Sequence, residues 1–231
     1  MASRSLLYYI TDRKQFPGDE HFHRAALIGK IAEAARAGVD YIQLREKDLS
    51  TRELEILARE VADLIREHSP ATRLLINSRT DVALVTGAEG VHLRAGDVTP
   101  GDARRIVEVV SNRRLTLKVT MTRFLVAASS HTVTDVLCAE SDQADFAVFG
   151  PVFGKSGAPE TEPTGLVALS NACKVGIPVF ALGGITMENA ASCLRAGAAG
   201  VAGIRLFQEN KIEDIVRALR PSQIDAGTDG R

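Results

Sequence analysis

Eight short apolar runs alternate with segments of helical spacing along this chain, and few folds accommodate that rhythm. The runs are Leu6–Ile10, residues 40–45, Leu74–Ile76, Gly90–Leu93, Phe124–Ala128, Asp145–Phe149, Pro178–Leu182 and Gly200–Ile204. Continuous apolar stretches of this length suit strands buried on both faces, as in a parallel sheet. Between them, apolar residues three and four apart predict helices over 24–37, 80–86, Pro100 to about Val110, 134–140, 165–174, 187–196 and 212–219. A further helix starts at Ser50, which forms a capping box with Glu53 ahead of the stripe Leu54, Leu57, Val61 and Leu64. Eight strand–helix pairs with short connections make a parallel sheet that most economically closes on itself. The expected fold is therefore α/β, a (β/α)8 TIM barrel. An open doubly wound sheet is the alternative, but its glycine-rich fingerprint after the first strand is missing. Residues 111–122, where Arg113, Arg114 and Lys118 break the apolar pattern, read as an inserted loop. The barrel is expected to span 1–220 as a single domain, with 221–231 a flexible tail.

Composition narrows the function classes. Net charge is −1, with no Trp and three Tyr, so nothing in bulk points to nucleic acid or an anionic membrane. No run approaches a membrane span and the N-terminus lacks a signal peptide's apolar length. Cys138, Cys173 and Cys193 are odd in number and lack metal-type spacing, which suits a cytoplasmic protein with small reduced core cysteines. The oligomeric state is open, a homodimer among the options.

In a barrel of this kind active groups lie after the strands. Gln43, Arg45 and Lys47 are two apart, so an extended chain projects an amide and two cations to one face, which suits an anionic ligand. The alternative is a strand edge running into a solvated loop. Gly183-Gly184 after the seventh strand and Gly203-Ile204-Arg205 after the eighth are where such barrels tend to hold phosphate, with backbone N–H groups free to approach an anion. The same glycines also suit tight turns. Asp97 is a candidate magnesium ligand, with Asn77 and Ser78 nearby, or else a loop and capping residue. His131, after Ser129-Ser130, could act as acid or base or be structural. His92, inside a strand, reads as packed core. Lys155, in a long loop after the sixth strand, is a candidate lid cation or a solvent-exposed residue.

Set in order, these residues resemble the thiamine-phosphate synthase family and its relatives, the TenI-type thiazole tautomerases. The matching stretches are Gln43–Asp48, Ile76-Asn77-x-Arg79-x-Asp81-Val82-Ala83, Gly90–Leu93 with Asp97, Ser129-x-His131, Phe149–Phe153 and Gly183-Gly184-Ile185-x-x-x-Asn189, covering about residues 8–207. The resemblance implies a transferase that joins hydroxymethylpyrimidine diphosphate to thiazole phosphate, giving thiamine phosphate and diphosphate. It implies that Gln43, Arg45, Lys47 and Asn77 hold the pyrimidine diphosphate, that Asp97 binds Mg2+, and that Ser129 contacts the diphosphate or pyrimidine. Gly183, Gly184 and the 203–205 loop would hold the thiazole phosphate. Three departures stand out: Ser78 where the family usually has Asp, Gly154–Ala158 where it has Thr-x-Thr-Lys, and Arg205-Leu206 where it has Ser-Ala. Lys155 could take over a diphosphate contact. The runner-up is the tautomerase, metal-independent, with His131 shuttling the proton. A third reading is a barrel that binds phosphate esters without turnover.

Overall fold

The computed structural model of the protein describes residues 4–115, 123–154 and 162–220. The chain runs β1 (Leu6–Ile10), α1 (Glu20–Arg36), β2 (Tyr41–Leu44), α2 (Thr51–His68), β3 (Arg73–Asn77), α3 (Thr80–Thr86), β4 (Gly90–Leu93) and α4 (Pro100–Leu115). It continues through β5 (Leu125–Ser130), α5 (Val133–Ser141), β6 (Phe146–Phe149), α6 (Gly165–Ala172), β7 (Val179–Ala181), α7 (Ala190–Arg195), β8 (Gly200–Gly203), α8 (Arg205–Gln208) and α9 (Ile212–Leu219). The strands pair in parallel and in sequence order, and β8 returns to β1, so the barrel is closed.

Alternation along each strand separates two cores. Outward residues such as Leu7, Ile42, Leu74, Ile76, Val91 and Val126 pack against the helices. Inward residues fill the barrel, where Tyr8, Tyr41, Phe146 and Phe180 stack edge-on or tilted with ring centroids 5.0–5.8 Å apart. These four rings close the barrel floor, leaving the C-terminal ends of the strands as the way in. At the opposite end, Arg220 after α9 donates to the carbonyls of Ser5 (2.8 Å) and Gly38 (2.8 Å) and pairs with Asp40. Asp40 in turn accepts the Leu7 N–H at 2.7 Å, so the last helix is fastened to the start of the first two strands.

Several expected boundaries move. Helix α1 begins at Glu20 rather than 24, because Asp19 accepts the Phe22 N–H at 2.9 Å and caps a polar first turn that apolar spacing does not reveal. Residues 111–115 extend α4 instead of opening a loop, since Arg113 and Arg114 break the apolar pattern but are compatible with a helix. The rest of that stretch, 116–122, and the tail 221–231 lie outside the described residues. The capping box at Ser50 and Glu53 is present, with the Ser50 N–H donating to Glu53 at 2.8 Å. Cys138 is exposed and Cys173 half-buried, so of the three cysteines Cys193 alone is a fully packed core residue.

Candidate active site

Above the aromatic floor lies a cavity of about 1170 Å³, and it brings together the two groups of residues that the sequence places after the second strand and after the seventh and eighth. Gln43, Arg45, Lys47 and Asn77 form one wall, and Gly183, Gly184, Gly203, Ile204 and Arg205 the other, with Ser129 and His131 between them.

The cationic wall is built by the exit of β2 and the end of β3. Gln43 is the last inward residue of its strand; it is buried and donates its amide to Asn77 Oδ1 at 3.1 Å. Arg45 follows, with its backbone N–H donating to Thr11 Oγ1 at 2.9 Å. Burial lowers the Arg45 pKa, a sign that the guanidinium is held partly out of water, with Asp12 4.0 Å away as partial compensation.

Arg13, which the sequence reading passed over, anchors this wall from behind. It is 3% exposed and donates to Asp48 at 2.7 and 2.8 Å, to Glu46 at 3.1 Å and to Glu20 at 2.7 Å. Burial raises the Glu46 pKa despite hydrogen bonds from Thr11 and Arg13, whereas the Arg13 guanidinium pulls Asp48 far below the usual carboxylate range. The Glu46 side chain thus turns back into the protein and the exposed Asp48 is drawn to Arg13, while Arg45 and Lys47 line the cavity. Alternating sign along 45–48 was the available signal.

The opposite wall is shaped by close backbone contacts. Gly183 and Gly184 have φ of +94° and +62°, in the region that favours glycine. The chain after β6 runs alongside them, Val152 N–H donating to Leu182 O at 2.8 Å and Phe153 N–H to Gly183 O at 3.0 Å. Asn189 clips the loop by accepting the Thr186 N–H and donating to Gly184 O, both at 2.9 Å. Arg205 is exposed and opens α8, lining the cavity rather than plugging it.

His92 departs from its expected setting. His92 is buried, as expected, but it points into the barrel and bonds Ser129 Oγ through Nε2 at 2.9 Å, so it belongs to the cavity lining. The strand period of two, which sends Val91 and Leu93 outward, was the missed signal. Asp97 stands behind the wall: its carboxylate takes the Arg94 guanidinium at 3.0 Å and the Arg94 N–H at 2.7 Å, with Ser78 a further donor. Burial opposes that charge, but these bonds outweigh it and hold the Asp97 pKa below the ordinary carboxylate range. Arg94 itself reaches the cavity as a cation the sequence reading did not name. Lys155 lies outside the described residues.

His131 lines the cavity with its Nδ1 2.5 Å from Gly150 O. A carbonyl can only accept, so Nδ1 carries a proton and donates it to Gly150 O.

The family described as thiamine monophosphate synthase matches residues 7–207, a span that includes every residue of both walls. The chain belongs to that family. Thiamine-phosphate synthase family members of known sequence include a putative thiamine-phosphate synthase 2 of Aquifex aeolicus, 39% identical over 88% of this chain and 97% of its own. A thiamine-phosphate synthase of Methanoculleus marisnigri is 34% identical over 97% of this chain and 98% of its own. Among solved structures, a thiamine phosphate pyrophosphorylase from Pyrococcus furiosus superposes with a TM-score of 0.73, at 28% identity and 93% coverage of both chains. Membership makes the chain a transferase of the synthase family, and the expected (β/α)8 barrel is the fold the two proteins share.

Proposed function

We propose that the cavity joins a pyrimidine diphosphate to a thiazole phosphate, forming thiamine phosphate and releasing diphosphate. The observation that carries this reading is the meeting of a cationic wall and a glycine wall across one space. At about 1170 Å³ that space exceeds the ~300–1000 Å³ typical of a single-ligand pocket, leaving room for two substrates. Arg45 and Lys47 bind the diphosphate, with Gln43 and Asn77 fixing the pyrimidine end. Backbone of Gly183, Gly184 and residues 203–205 cradles the thiazole phosphate, and Arg205 adds a charge at the rim.

The C–O bond to diphosphate breaks as the thiazole nitrogen forms the new C–N bond to the pyrimidine methylene. Fixed cations next to the departing diphosphate lower the barrier because they are already oriented when charge develops there. The residues suit magnesium only at the lower limit of its needs, one carboxylate and one hydroxyl from Asp97 and Ser78, with Arg94 competing for the carboxylate. When bound, the ion would share the charge of the diphosphate oxygens. A cytoplasmic setting accords with the three free cysteines.

A second reading, thiazole tautomerisation, draws support from His131, which lines the cavity with its Nδ1 held by the Gly150 carbonyl and is of a residue type that can shuttle a proton. Incubating the protein with both precursors, with and without magnesium, separates the two. Thiamine phosphate is the expected product. Isomerisation of a thiazole carboxylate phosphate with no condensation would replace the first reading by the second.

A further inference from the structure

A polar chain runs up the middle of the barrel from its aromatic floor to the cavity. The Tyr8 hydroxyl, fully buried among Tyr41, Phe146 and Phe180, is 2.9 Å from His92 Nδ1. The other ring nitrogen of His92 is 2.9 Å from Ser129 Oγ, and Ser129 lines the cavity.

We infer that this chain has one direction: Tyr8 donates to His92 Nδ1, His92 Nε2–H donates to Ser129 Oγ, and the Ser129 hydroxyl is thereby fixed as a donor to an anionic oxygen in the cavity. Three observations support it. Burial holds the Tyr8 phenol well above its ordinary pKa, so the hydroxyl keeps its hydrogen and needs an acceptor. His92 Nδ1 is its one hydrogen-bond partner among the described residues, and a donor left unmatched at a dry site costs the full loss of its hydration. The imidazole is neutral, since burial, and secondarily the Arg45 charge, push its pKa down to about 3; with Nδ1 accepting, its single proton sits on Nε2. In the reverse direction Ser129 would donate to Nε2 and His92 to Tyr8, stranding the phenolic hydrogen in the floor.

The consequence is a serine with a predetermined role. An unconstrained hydroxyl rotates and can donate or accept. Here one lone pair is taken by Nε2–H, so the hydrogen is turned outward to a ligand oxygen. The ligand class, a phosphoryl oxyanion, rests on the proposed function; the direction of the chain does not. His92 and Tyr8 are then positioning residues that act through Ser129.

The test is long-range proton–nitrogen NMR on protein labelled with 15N-histidine, with inorganic diphosphate as the probe. Wild type is expected to show His92 as the neutral Nε2–H tautomer, unchanged from pH 8 to pH 5. Ser129→Ala should keep that tautomer, because Tyr8 still sets it, whereas Tyr8→Phe should give a mixture. Diphosphate should shift the His92 Nε2 resonance, and its affinity should fall roughly tenfold in Ser129→Ala, about the size of one hydrogen bond to a charged group. An Nδ1–H tautomer, an imidazolium signal at pH 6, or a tautomer indifferent to Tyr8→Phe would overturn the inference. So would diphosphate binding that leaves His92 unmoved and is unchanged in Ser129→Ala. Failure of wild type to bind diphosphate, with the tautomer as stated, would instead refute the proposed function and the ligand class drawn from it.

Discussion

Gly183 lies so close to Pro151 that a Cβ on the glycine would stand 2.5 Å from the proline Cα. Two loops, one from β6 and one from β7, are therefore packed backbone to backbone where the proposed phosphate site needs a rigid cradle. Gly183→Ala combines a positive φ with a collision that no side-chain rotation relieves. Strain and overpacking of about 1–3 kcal/mol each should lower the urea midpoint and weaken phosphate-ester binding together. A variant of wild-type stability would show that the loops are not so tightly apposed.

Removing the cations one at a time should affect diphosphate more than thiazole phosphate. Arg45→Ala is expected to cost about 1.5–3 kcal/mol in kcat/KM for the pyrimidine diphosphate, roughly ten- to hundredfold, with little change in KM for the thiazole. Steady-state kinetics varying each substrate in turn will tell. Equal losses for both substrates would contradict the assignment of the two walls.

Ser78 adopts φ +63°, a conformation that Asp tolerates better than most residues. Ser78→Asp should therefore fold normally and place a second carboxylate beside Asp97. The expected result is a fall of about tenfold in the magnesium concentration for half-maximal activity, as one added charge-assisted ligand confers. Titration of activity with magnesium checks this, and an unchanged midpoint would argue against metal binding near Asp97.

Arg13 holds Glu46 out of water, so Arg13→Met leaves a buried carboxylate without its cation. Breaking such a pair costs about 3–5 kcal/mol, or on the order of 6–20 °C in Tm for a chain of this size. Double variants of Arg13→Met with Glu46→Gln should recover part of that loss, readable by thermal melts.

His92 makes folding sensitive to acid. Its native pKa is about 3, below the ~6.5 of an unfolded histidine, so the unfolded chain takes up a proton first as pH falls and stability drops below about pH 6.5. Between pH 7.5 and 5 this amounts to about 2 kcal/mol. His92→Gln should lose that part of the pH slope, measured as the difference between urea midpoints at the two pH values.

Much of the barrel was legible because buried parallel strands are near-continuous apolar runs, and Leu74–Ile76 or Gly200–Ile204 admit few other roles. The start of α1 was hidden because its first turn, Glu20–His23, is polar and capped by Asp19. The end of α4 was hidden because Arg113 and Arg114 interrupt the apolar pattern without interrupting the helix. Within the site, Gln43, Arg45 and Lys47 were legible from their spacing. Arg13 and Arg94 were not, since what places them is a partner distant in sequence or the curl of a loop, and neither leaves a local pattern. His92 was half legible: its burial followed from its strand, but its bonds run across the barrel to Tyr8 and to Ser129 on the neighbouring strand, both far off in sequence.

The clasp of Arg220 on Ser5, Gly38 and Asp40 gathers both ends of the described chain on the face remote from the cavity. A short linker could therefore splice them, and new termini opened in an exposed turn between a helix and the next strand would give a circularly permuted enzyme with its catalytic rim untouched.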